Sequence, residues 1–524
     1  MRETEHSLLL GNDSSALAKS PKLSPTRQIL IVGAMACAGL LNIFTVQSTV
    51  IVLPAIQESL SIPVSRQQLI TSMYSISSGC TLLLCGRLAD VHGRKRVFLA
   101  GAAGFTASSI ATPFAPDEVS FYALRVLQGF SNAATVPSAL GILATLFPQG
   151  GHQRKWAFVT FSAASSLGSV VGNLVGGIIG AYLSWNWVFW IPAGIAALVG
   201  LLAYGIVPPV AAPSCLTTQP SDEPSLGSDV INHCGSSAHA QSVDWLGGMA
   251  ITASMLSLLL ALSYATAFWS RSPLALLGLV ALSAGLAGAF FLWQRRLESG
   301  ASRWAPLIQT SMFANTDFSV SLIVMASFCG SYNSFLVFAS VFYQDYLGLD
   351  TLQTTLRFIP AGAVGPRLLR PPPILALWPS PFYVVVVGIL CGIATPLLYA
   401  LPSIPPDASY WAWGFPAMCL CFSVDIVWPV VGLVIARSVP DDQQAIAGGA
   451  LQTANLMGRA VGLAVAAAVQ VAVLQQGQGS EGRGPLVGDL LLLRSLRAAQ
   501  WTNVGLAVLA LLLVLGFFRK MGHI

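Results

Sequence analysis

The chain has 524 residues, of which 54% are hydrophobic and only 9% are charged, and its formal net charge is +5. A soluble domain carries about 25% charged residues, so this composition excludes a soluble globular protein. The apolar content excludes a disordered chain, and nine cysteines are too few for a secreted disulfide scaffold. The weak net charge does not suggest a nucleic-acid partner, which leaves a polytopic membrane protein.

Apolar segments recur along the chain at about the length that a helix needs to cross a bilayer, which is roughly 20 residues. The first follows a polar, basic tail and is too long for the hydrophobic region of a cleaved signal peptide. We predict an all-α fold with fourteen spans, at 28–53, 68–86, 97–115, 122–147, 156–182, 187–207, 245–265, 273–293, 318–341, 354–366, 382–401, 411–437, 443–474 and 500–519. The span at 354–366 is the weakest of them.

Lysine and arginine are unevenly distributed between the two sides of this arrangement. With the N-terminus in the cytoplasm, 18 of them fall on the cytoplasmic side and 6 on the outside. Because cytoplasmic loops of membrane proteins are enriched in Lys and Arg, we predict that both termini are cytoplasmic. Twelve spans are the alternative, since removing a pair of helices preserves the parity.

A polar segment without lysine or arginine, residues 208–243, separates two groups of spans and is typical of a flexible linker. It contains Cys215, His233, Cys234 and His239, whose spacing matches no standard zinc site, so we predict no metal and no cofactor. The chain thus divides into a cytoplasmic tail (1–27), a first group of spans (28–207), the cytoplasmic linker (208–243), a second group (244–519) and a cytoplasmic tail (520–524).

The sequence GRLADVHGRKR, residues 86–96, connects the second and third predicted spans. Gly86 and Gly93 permit a tight turn and close helix approach, and Asp90 is placed to pair with a basic residue or a helix N-terminus. Arg94 and the basic residues after it anchor the loop at the membrane surface. A plain positive-inside loop would need neither the glycines nor the acid at these positions.

This motif closely resembles the signature loop of the major facilitator superfamily, G-x-L-A-D-x-x-G-R-(K/R)-x. The resemblance implies a fold of two six-helix halves, and here two extra helices that follow the linker within 244–519. It also implies that the loop works as a gate latch between conformations, with Gly86, Asp90, Gly93 and Arg94 as the gate residues.

The fourth predicted span contains LRVLQGFSNAA, residues 124–134, which resembles the R-x-x-Q-G motif of the same family. An arginine within an apolar helix costs about 2.5–3.5 kcal/mol on insertion scales, which makes Arg125 a functional candidate. The resemblance implies a role in proton coupling or substrate positioning. The alternative is that Arg125 snorkels to the nearby interface.

The fifth predicted span contains GSVVGNLVGG, in which Gly168, Gly172 and Gly176 share one helix face and Gly177 follows. This small-xxx-small spacing favours close helix packing, which occurs in many bundles. The segment also resembles the antiporter motif G-x-x-x-G-P-x-x-G-G, with Asn173 in place of the proline. The resemblance favours antiport, while the replacement removes the residue expected to kink the helix.

Further strings resemble the fourteen-span drug:proton antiporters, among them SWNWVF from Ser184 and DWLGG from Asp244. Strings that begin at residues 53, 82 and 410 resemble fungal members grouped with the aminotriazole-resistance and low-affinity ammonium transporters. The resemblance is lost at 366–381, where six prolines fall within sixteen residues. Because a proline inside a helix costs about 3 kcal/mol, we expect a gene-model error or a degenerate tenth helix there.

Proton coupling needs a titratable group within the spans. Asp244 and Asp317 sit at the ends of predicted spans, whereas Asp425 alone lies near the middle of one, and we predict that it carries the proton. The alternatives are a permanent pair with Arg459 or a protonated packing group. The aspartate that the fourteen-span family often carries in its first span is absent, and Thr45 stands at about that position.

Five amides within the spans are weaker candidates for substrate contacts: Asn42, Gln47, Asn333, Gln452 and Asn455. Hydrogen bonding between helices is the alternative role for each of them.

The sequence contains no visible catalytic constellation and no Walker-type phosphate loop, so we predict a transporter and not an enzyme. The predicted function is proton-coupled transport by alternating access, exporting a small organic compound such as a drug, toxin or secondary metabolite. The predicted partners are that substrate, protons and the lipid bilayer, and the predicted form is a monomer in the plasma membrane, with the vacuolar membrane as the alternative. The alternative functions are uptake or facilitated flux of a small solute such as ammonium, and a non-transporting membrane receptor or pseudo-transporter.

Overall fold

The structure is a computed structural model that describes residues 24–518 apart from 64–65, 68, 148–151, 209–243, 269–272, 300–305, 308, 369–380, 402–408, 440–443 and 481–484. Within these residues every regular element is a helix, which confirms the predicted all-α class. The linker and both tails lie almost entirely outside the described residues, as do most of the proline-rich positions 366–381.

The described part of the first half contains seven α-helices. Ser24 caps the first of them with its side chain, which accepts from the backbone N–H of Arg27, and Pro25 occupies the first turn, where its missing N–H is not needed. The helices are α1 (Pro25–Ile51), α2 (Leu53–Ser59), α3 (Leu69–His92), α4 (Arg94–Ala111), α5 (Glu118–Leu146), α6 (His152–Tyr182) and α7 (Trp187–Ile206).

The second part contains an extra helix pair, α8 (Trp245–Phe268) and α9 (Pro273–Glu298), and then the second half. That half consists of α10 (Thr316–Val341), α11 (Thr351–Leu368), α12 (Pro381–Ala400), α13 (Tyr410–Leu420), α14 (Ser423–Ser438), α15 (Gln444–Ser480) and α16 (Pro485–Phe517). A π-helical turn, Phe342–Tyr346, extends α10.

Eleven helical segments of the described chain are long and apolar enough to cross a membrane, counting α13 and α14 as one. The other three predicted spans, 122–147, 245–265 and 354–366, coincide with α5, α8 and α11. These three are helical, but the described part of each is either too short or not apolar enough to count as a membrane-crossing helix. The tenth predicted span forms a helix that ends at Leu368. Residues 369–380, which follow it, lie outside the described residues.

Two boundaries differ from the sequence expectation. The predicted span 411–437 is two helices, because the backbone turns at Cys421 and Phe422 between α13 and α14. The motif at 86–96 is mostly helical, since α3 continues to His92 and α4 begins at Arg94. The expected tight turn is reduced to Gly93 alone.

One end of the bundle is closed by a large apolar cluster that draws on both halves. Phe121 and Phe189 of the first half belong to the same cluster as Phe335, Phe342 and Trp413 of the second. Two hydrogen bonds reinforce the closure at the end of α1: the Ser340 hydroxyl donates to the Val50 carbonyl (3.4 Å) and the Gln344 amide to the Ile51 carbonyl (2.9 Å).

The opposite end, which carries Gly93, has a different organisation. Its apolar residues form two separate clusters, one drawn from residues 31–207 of the first half and the other from residues 312–518 of the second. The large shared cluster thus joins the halves at the end far from Gly93. At the Gly93 end each half has its own large cluster, and a smaller cluster, in which Leu456 of α15 packs with Ala89 and Val97, crosses between them.

The extra pair packs over the seam where α3 of the first half meets α15 of the second. The Thr252 hydroxyl on α8 reaches the Cys80 carbonyl of α3 at 3.3 Å. Asp244, at the start of α8, ties the pair together by accepting from the Trp293 indole (3.1 Å) and the Gln294 amide (2.6 Å) of α9.

Candidate functional site

Arg125 lies on α5 and is fully buried, with 0% of its surface exposed. Its Nε donates to the Ile70 carbonyl (3.0 Å), and its Nη1 donates to Oε1 of Gln128 (2.8 Å). The guanidinium lies over the rings of Tyr74 and Phe189, at 5.0 and 5.6 Å from their centroids. Its Nη2 is buried and binds no acceptor among the described residues. The burial rules out snorkelling and leaves a charge enclosed by aromatic rings and neutral dipoles.

A cluster of amides and hydroxyls continues from Arg125 toward the centre of the bundle. Oδ1 of Asn42 on α1 accepts from the Tyr74 hydroxyl (3.1 Å) and from Nδ2 of Asn132 (3.1 Å). The same Nδ2 donates to the Ser78 hydroxyl at 2.9 Å. These bonds join α1, α3 and α5 through buried polar groups, as expected for amides that hold transmembrane helices together.

The second half contributes a buried arginine of its own. Arg459 on α15 is 8% exposed, and its Nε donates to Oδ1 of Asn333 on α10 at 3.2 Å. Its two Nη nitrogens form no hydrogen bond or ion pair with the described residues, and they are not among the polar atoms that the protein covers completely. Arg459 therefore keeps donors that no described residue uses.

Electrostatics link the two arginines across the seam. Tyr74 of the first half lies within electrostatic reach of both Arg125 and Arg459. Tyr332, next to Asn333 on α10, is within reach of Arg459 and of Asp425. Tyr74 on α3 and Arg459 on α15 thus belong to two helices that pack against each other between the halves.

Asp425 lies within the candidate span Tyr410–Ile435, at a break in its helix that the sequence did not predict. It is half-buried in the first turn of α14, directly after the break in the predicted span, and its backbone N–H donates to the Phe422 carbonyl at 3.0 Å. The positive end of a helix dipole favours a carboxylate there. The acid therefore sits at an interrupted point of a transmembrane segment, where broken helices commonly place ion sites.

Two of the five predicted amides, Gln452 and Asn455, share a helix face with Arg459, since they precede it by seven and four residues. Neither amide makes a hydrogen bond with the described residues. Both therefore keep their donors and acceptors for water or a ligand.

The other three predicted amides bond between helices. Asn42 and Asn333 do so as described above, and Nε2 of Gln47 donates to the Ser169 hydroxyl of α6 at 3.1 Å. The Oε1 atom of Gln47 is buried and accepts no hydrogen bond from the described residues.

The four gate residues predicted from the sequence lie around the turn between α3 and α4. Nε and Nη2 of Arg94 donate to Oδ1 of Asp90 at 3.0 and 2.9 Å, while Nη1 donates to the Gly141 carbonyl of α5 at 2.6 Å. Gly93 has φ +95°, which favours glycine. Gly86 lies inside α3, and an added Cβ would meet Pro137 only at an ordinary 3.7 Å. The expected close approach is therefore absent at Gly86, and at Gly93 an added Cβ would meet nothing within 4 Å.

The glycines of the fifth predicted span divide between two neighbours. A Cβ added at Gly168, Gly172 or Gly176 would lie 2.4–2.9 Å from backbone atoms of α1. One added at Gly177 would fall 1.7 Å from Oγ1 of Thr355, on α11 of the other half. The α6 helix runs unbroken through Asn173, so three glycines fix packing within the half and the fourth borders the other half.

Sequence reasoning missed Tyr74, Asn132 and Tyr332, and it treated Arg459 only as a partner for Asp425. The spacing along the chain gives no reason to connect residues on α3, α5, α10 and α15. The sequence feature that could have identified them is a polar residue inside an apolar span, and both Arg459 and Asn132 are such residues.

Comparison with known proteins places this arrangement in a family. The family described as the Major Facilitator Superfamily matches residues 35–228 and 235–463. A transporter of Pyricularia oryzae named MFS-type transporter 1 is 27% identical over 491 residues, covering 90% of this chain and 78% of that one. An efflux pump of Aspergillus terreus is 25% identical and covers 98% and 92%. A puromycin resistance protein of Streptomyces alboniger is 27% identical and covers 79% and 76%.

Solved structures share the fold at low sequence identity. A bacterial homologue of the human lysosomal transporter Spinster, in an inward-facing and unoccupied conformation, has a TM-score of 0.61 at 14% identity and covers 95% of this chain and 99% of its own. An auto-inhibited peptide transporter has a TM-score of 0.61 at 16% identity and covers 95% and 97%. These matches concern the path of the helices alone.

Proposed function

Because the chain belongs to the major facilitator superfamily, which comprises transporters and not enzymes, we propose that it exports a small organic compound in exchange for protons by alternating access. The observation that carries the proposal is the meeting of the halves around a buried polar cluster while one end of the bundle is closed. A site between two halves that are joined at one end is what alternating access requires.

The relatives support export as the direction. The similar proteins include one that is named an efflux pump and one that is named a puromycin resistance protein. We propose that this chain belongs with the fourteen-span drug:proton antiporters, in the branch of the fungal aminotriazole-resistance and ammonium transporters. We also propose a monomer in the plasma membrane with both termini in the cytoplasm. On that orientation the closed end faces outward.

Asp425 is the proposed proton carrier. It lies at a helix break within a predicted span and shares its electrostatic surroundings with Tyr332 and Arg459. A carboxylate that gains a proton on one side and loses it on the other would alter the balance of charge around Tyr332, which Arg459 also influences, in each cycle. Such a change gives the two conformations different energies, as coupling demands.

The test uses purified protein in liposomes with an imposed pH gradient, a panel of toxic organic compounds as probes and a pH-sensitive dye. Wild type should accumulate at least one compound against its gradient and dissipate the pH gradient at the same time. Asp425→Asn should abolish accumulation driven by protons, because the amide keeps the shape of the side chain but does not titrate. Exchange of the compound down its own gradient should survive.

Asp317→Asn provides the matched control, because Asp317 also lies in the first turn of a helix but at the end of the bundle. This variant should couple like wild type. Full proton-driven accumulation by Asp425→Asn would remove Asp425 as the carrier and favour facilitated flux. A wild-type protein that moves none of the compounds would favour a non-transporting receptor.

A further inference from the structure

We infer that the transported compound is an organic anion, whose carboxylate or phenolate binds the free end of Arg459 between the halves. This inference rests on the proposed function for transport, but its binding step can be tested separately. It assigns a substrate class to the central cluster.

The first step is the balance of charge. Arg125 and Arg459 are each more than nine-tenths buried, and neither forms an ion pair with any carboxylate of the described chain. Among the described acids, Asp425 is the one whose electrostatic reach includes the same tyrosine as Arg459. Even with Asp425 ionised, the two guanidinium groups outnumber this one carboxylate. The centre of the protein therefore carries excess positive charge in a medium of low dielectric constant.

The second step concerns which arginine can take a ligand. Arg125 is enclosed by Tyr74 and Phe189, so it contributes charge but no contact surface. Arg459 is held through Nε by Asn333, which leaves both Nη groups available. A guanidinium fixed at Nε presents its two terminal nitrogens as a planar fork, which matches the two oxygens of a carboxylate.

The third step is the surroundings of that fork. Asn455 and Gln452 lie one and two turns away on the same face of α15, and their amides have no protein partners in the described chain. The distance from Gln452 to Arg459 along the helix is about 10 Å. Tyr74 and Tyr332 lie within electrostatic reach of Arg459. The site thus fits an amphipathic organic acid with one anionic group and polar groups along its length.

The charge of the ligand has an electrical consequence. Export of a monoanion in exchange for one incoming proton moves two positive charges inward for each cycle. An inside-negative membrane potential therefore drives the export of an anion, whereas electroneutral exchange of a cation for a proton would not respond to it.

The experiment uses three naphthalene probes that differ in charge: 1-naphthoate, its neutral isostere 1-naphthamide, and 1-naphthylmethylammonium. The full chain is reconstituted in lipid nanodiscs, and its midpoint of thermal unfolding is measured with each probe. Naphthoate should raise the midpoint by several degrees, and the other two should leave it within error.

Three variants of arginine locate the effect. Arg459→Gln should lose the naphthoate shift, while Arg459→Lys should retain part of it because the charge is kept and the planar fork is lost. Arg437→Gln removes an exposed arginine at the end of α14 and should retain the full shift. The unfolding midpoints of all three variants without any probe are first compared with that of wild type, which identifies a variant that folds poorly. If Arg459→Gln folds poorly, the naphthoate shift of Arg459→Lys decides whether the site depends on Arg459.

Flux in liposomes completes the test. Naphthoate movement should accelerate when a potassium gradient with valinomycin sets the potential, in the direction that draws the anion toward the positive side. Equal shifts with naphthamide or the ammonium probe, no shift with any probe, or an unchanged naphthoate shift in Arg459→Gln would each overturn the anion site. Arg459-dependent binding without any flux would keep the site and refute the proposed transport.

Discussion

Gly93 and Asp90 stabilise the turn between α3 and α4 in different ways. Gly93 supplies a backbone conformation with φ +95°, which side chains with a Cβ rarely adopt. Asp90 supplies the charge that holds Arg94, whose guanidinium also reaches the Gly141 carbonyl of α5. Gly93 therefore matters for the backbone fold of the turn. Asp90 matters for the contact between the turn and α5, which Arg94 makes within the first half.

Gly93→Ala should destabilise the folded protein by about 1–3 kcal/mol, because alanine is strained in this conformation whatever the space around it. Gly86→Ala is the control, since Gly86 is helical and a methyl group there meets only ordinary contact. Thermal unfolding in detergent should show a lower midpoint for the first variant and an unchanged or higher one for the second. Equal midpoints would show that the turn relaxes without cost.

Asp90→Asn should reduce transport while the protein still folds and reaches the membrane. The ion pair with Arg94 is exposed and four residues apart on the chain, so it contributes only about 0.3–0.5 kcal/mol to stability. Transport in liposomes and the unfolding midpoint are measured on the same preparation. Unchanged transport would mean that the loop anchors topology and has no gate role.

Helix α6 illustrates how one element can serve two interfaces. Its glycines at 168, 172 and 176 approach the backbone of α1 within the first half, while Gly177 lies against Thr355 of the second half. The sequence pattern identified the shared face of the first three. It gave no sign that the adjacent glycine borders another half, because residues 177 and 355 are far apart in the chain.

Gly168→Ala should destabilise the first half by about 1–3 kcal/mol, because the added methyl would fall 2.4 Å from the Leu40 carbonyl oxygen and the backbone of α1 has to move. Gly194→Ala on α7 is the control, since nothing lies within 4 Å of its Cβ position. The unfolding midpoint should fall for Gly168→Ala and stay unchanged for Gly194→Ala. An unchanged unfolding midpoint for Gly168→Ala would show that α1 and α6 can move apart without loss of stability.

At the scale of the whole molecule, a large apolar cluster joins the halves at the end far from Gly93, whereas at the Gly93 end each half has its own large cluster and a smaller one around Leu456 links them. On the proposed orientation, with the Gly93 loop in the cytoplasm, the end that the large shared cluster closes would face outward. The extra pair lies over the seam between α3 and α15 and belongs to neither core.

Topology follows from the distribution of basic residues and is tested with small epitope tags at the N-terminus and within 208–243. Both tags should be shielded from antibody in intact cells and become accessible after permeabilisation. A tag placed at residue 63, after α2, should be accessible from outside and controls for access. Labelling of either cytoplasmic tag in intact cells would invert the orientation and place the closed end inside.

The sequence by itself determined the membrane class, the helical fold and the approximate position of each helix, because the bilayer demands apolar segments of a set length. It also indicated Arg125, Asp425 and the loop around Gly93, since charges and glycines are unusual in such segments. Their neighbours were decided only by the tertiary structure. The pairing of Arg459 with Asn333, the cluster around Asn42 and the break before Asp425 depend on contacts between helices distant in the chain. Apolar composition fixes that a segment crosses the membrane, but it does not fix which of its faces meets which neighbour.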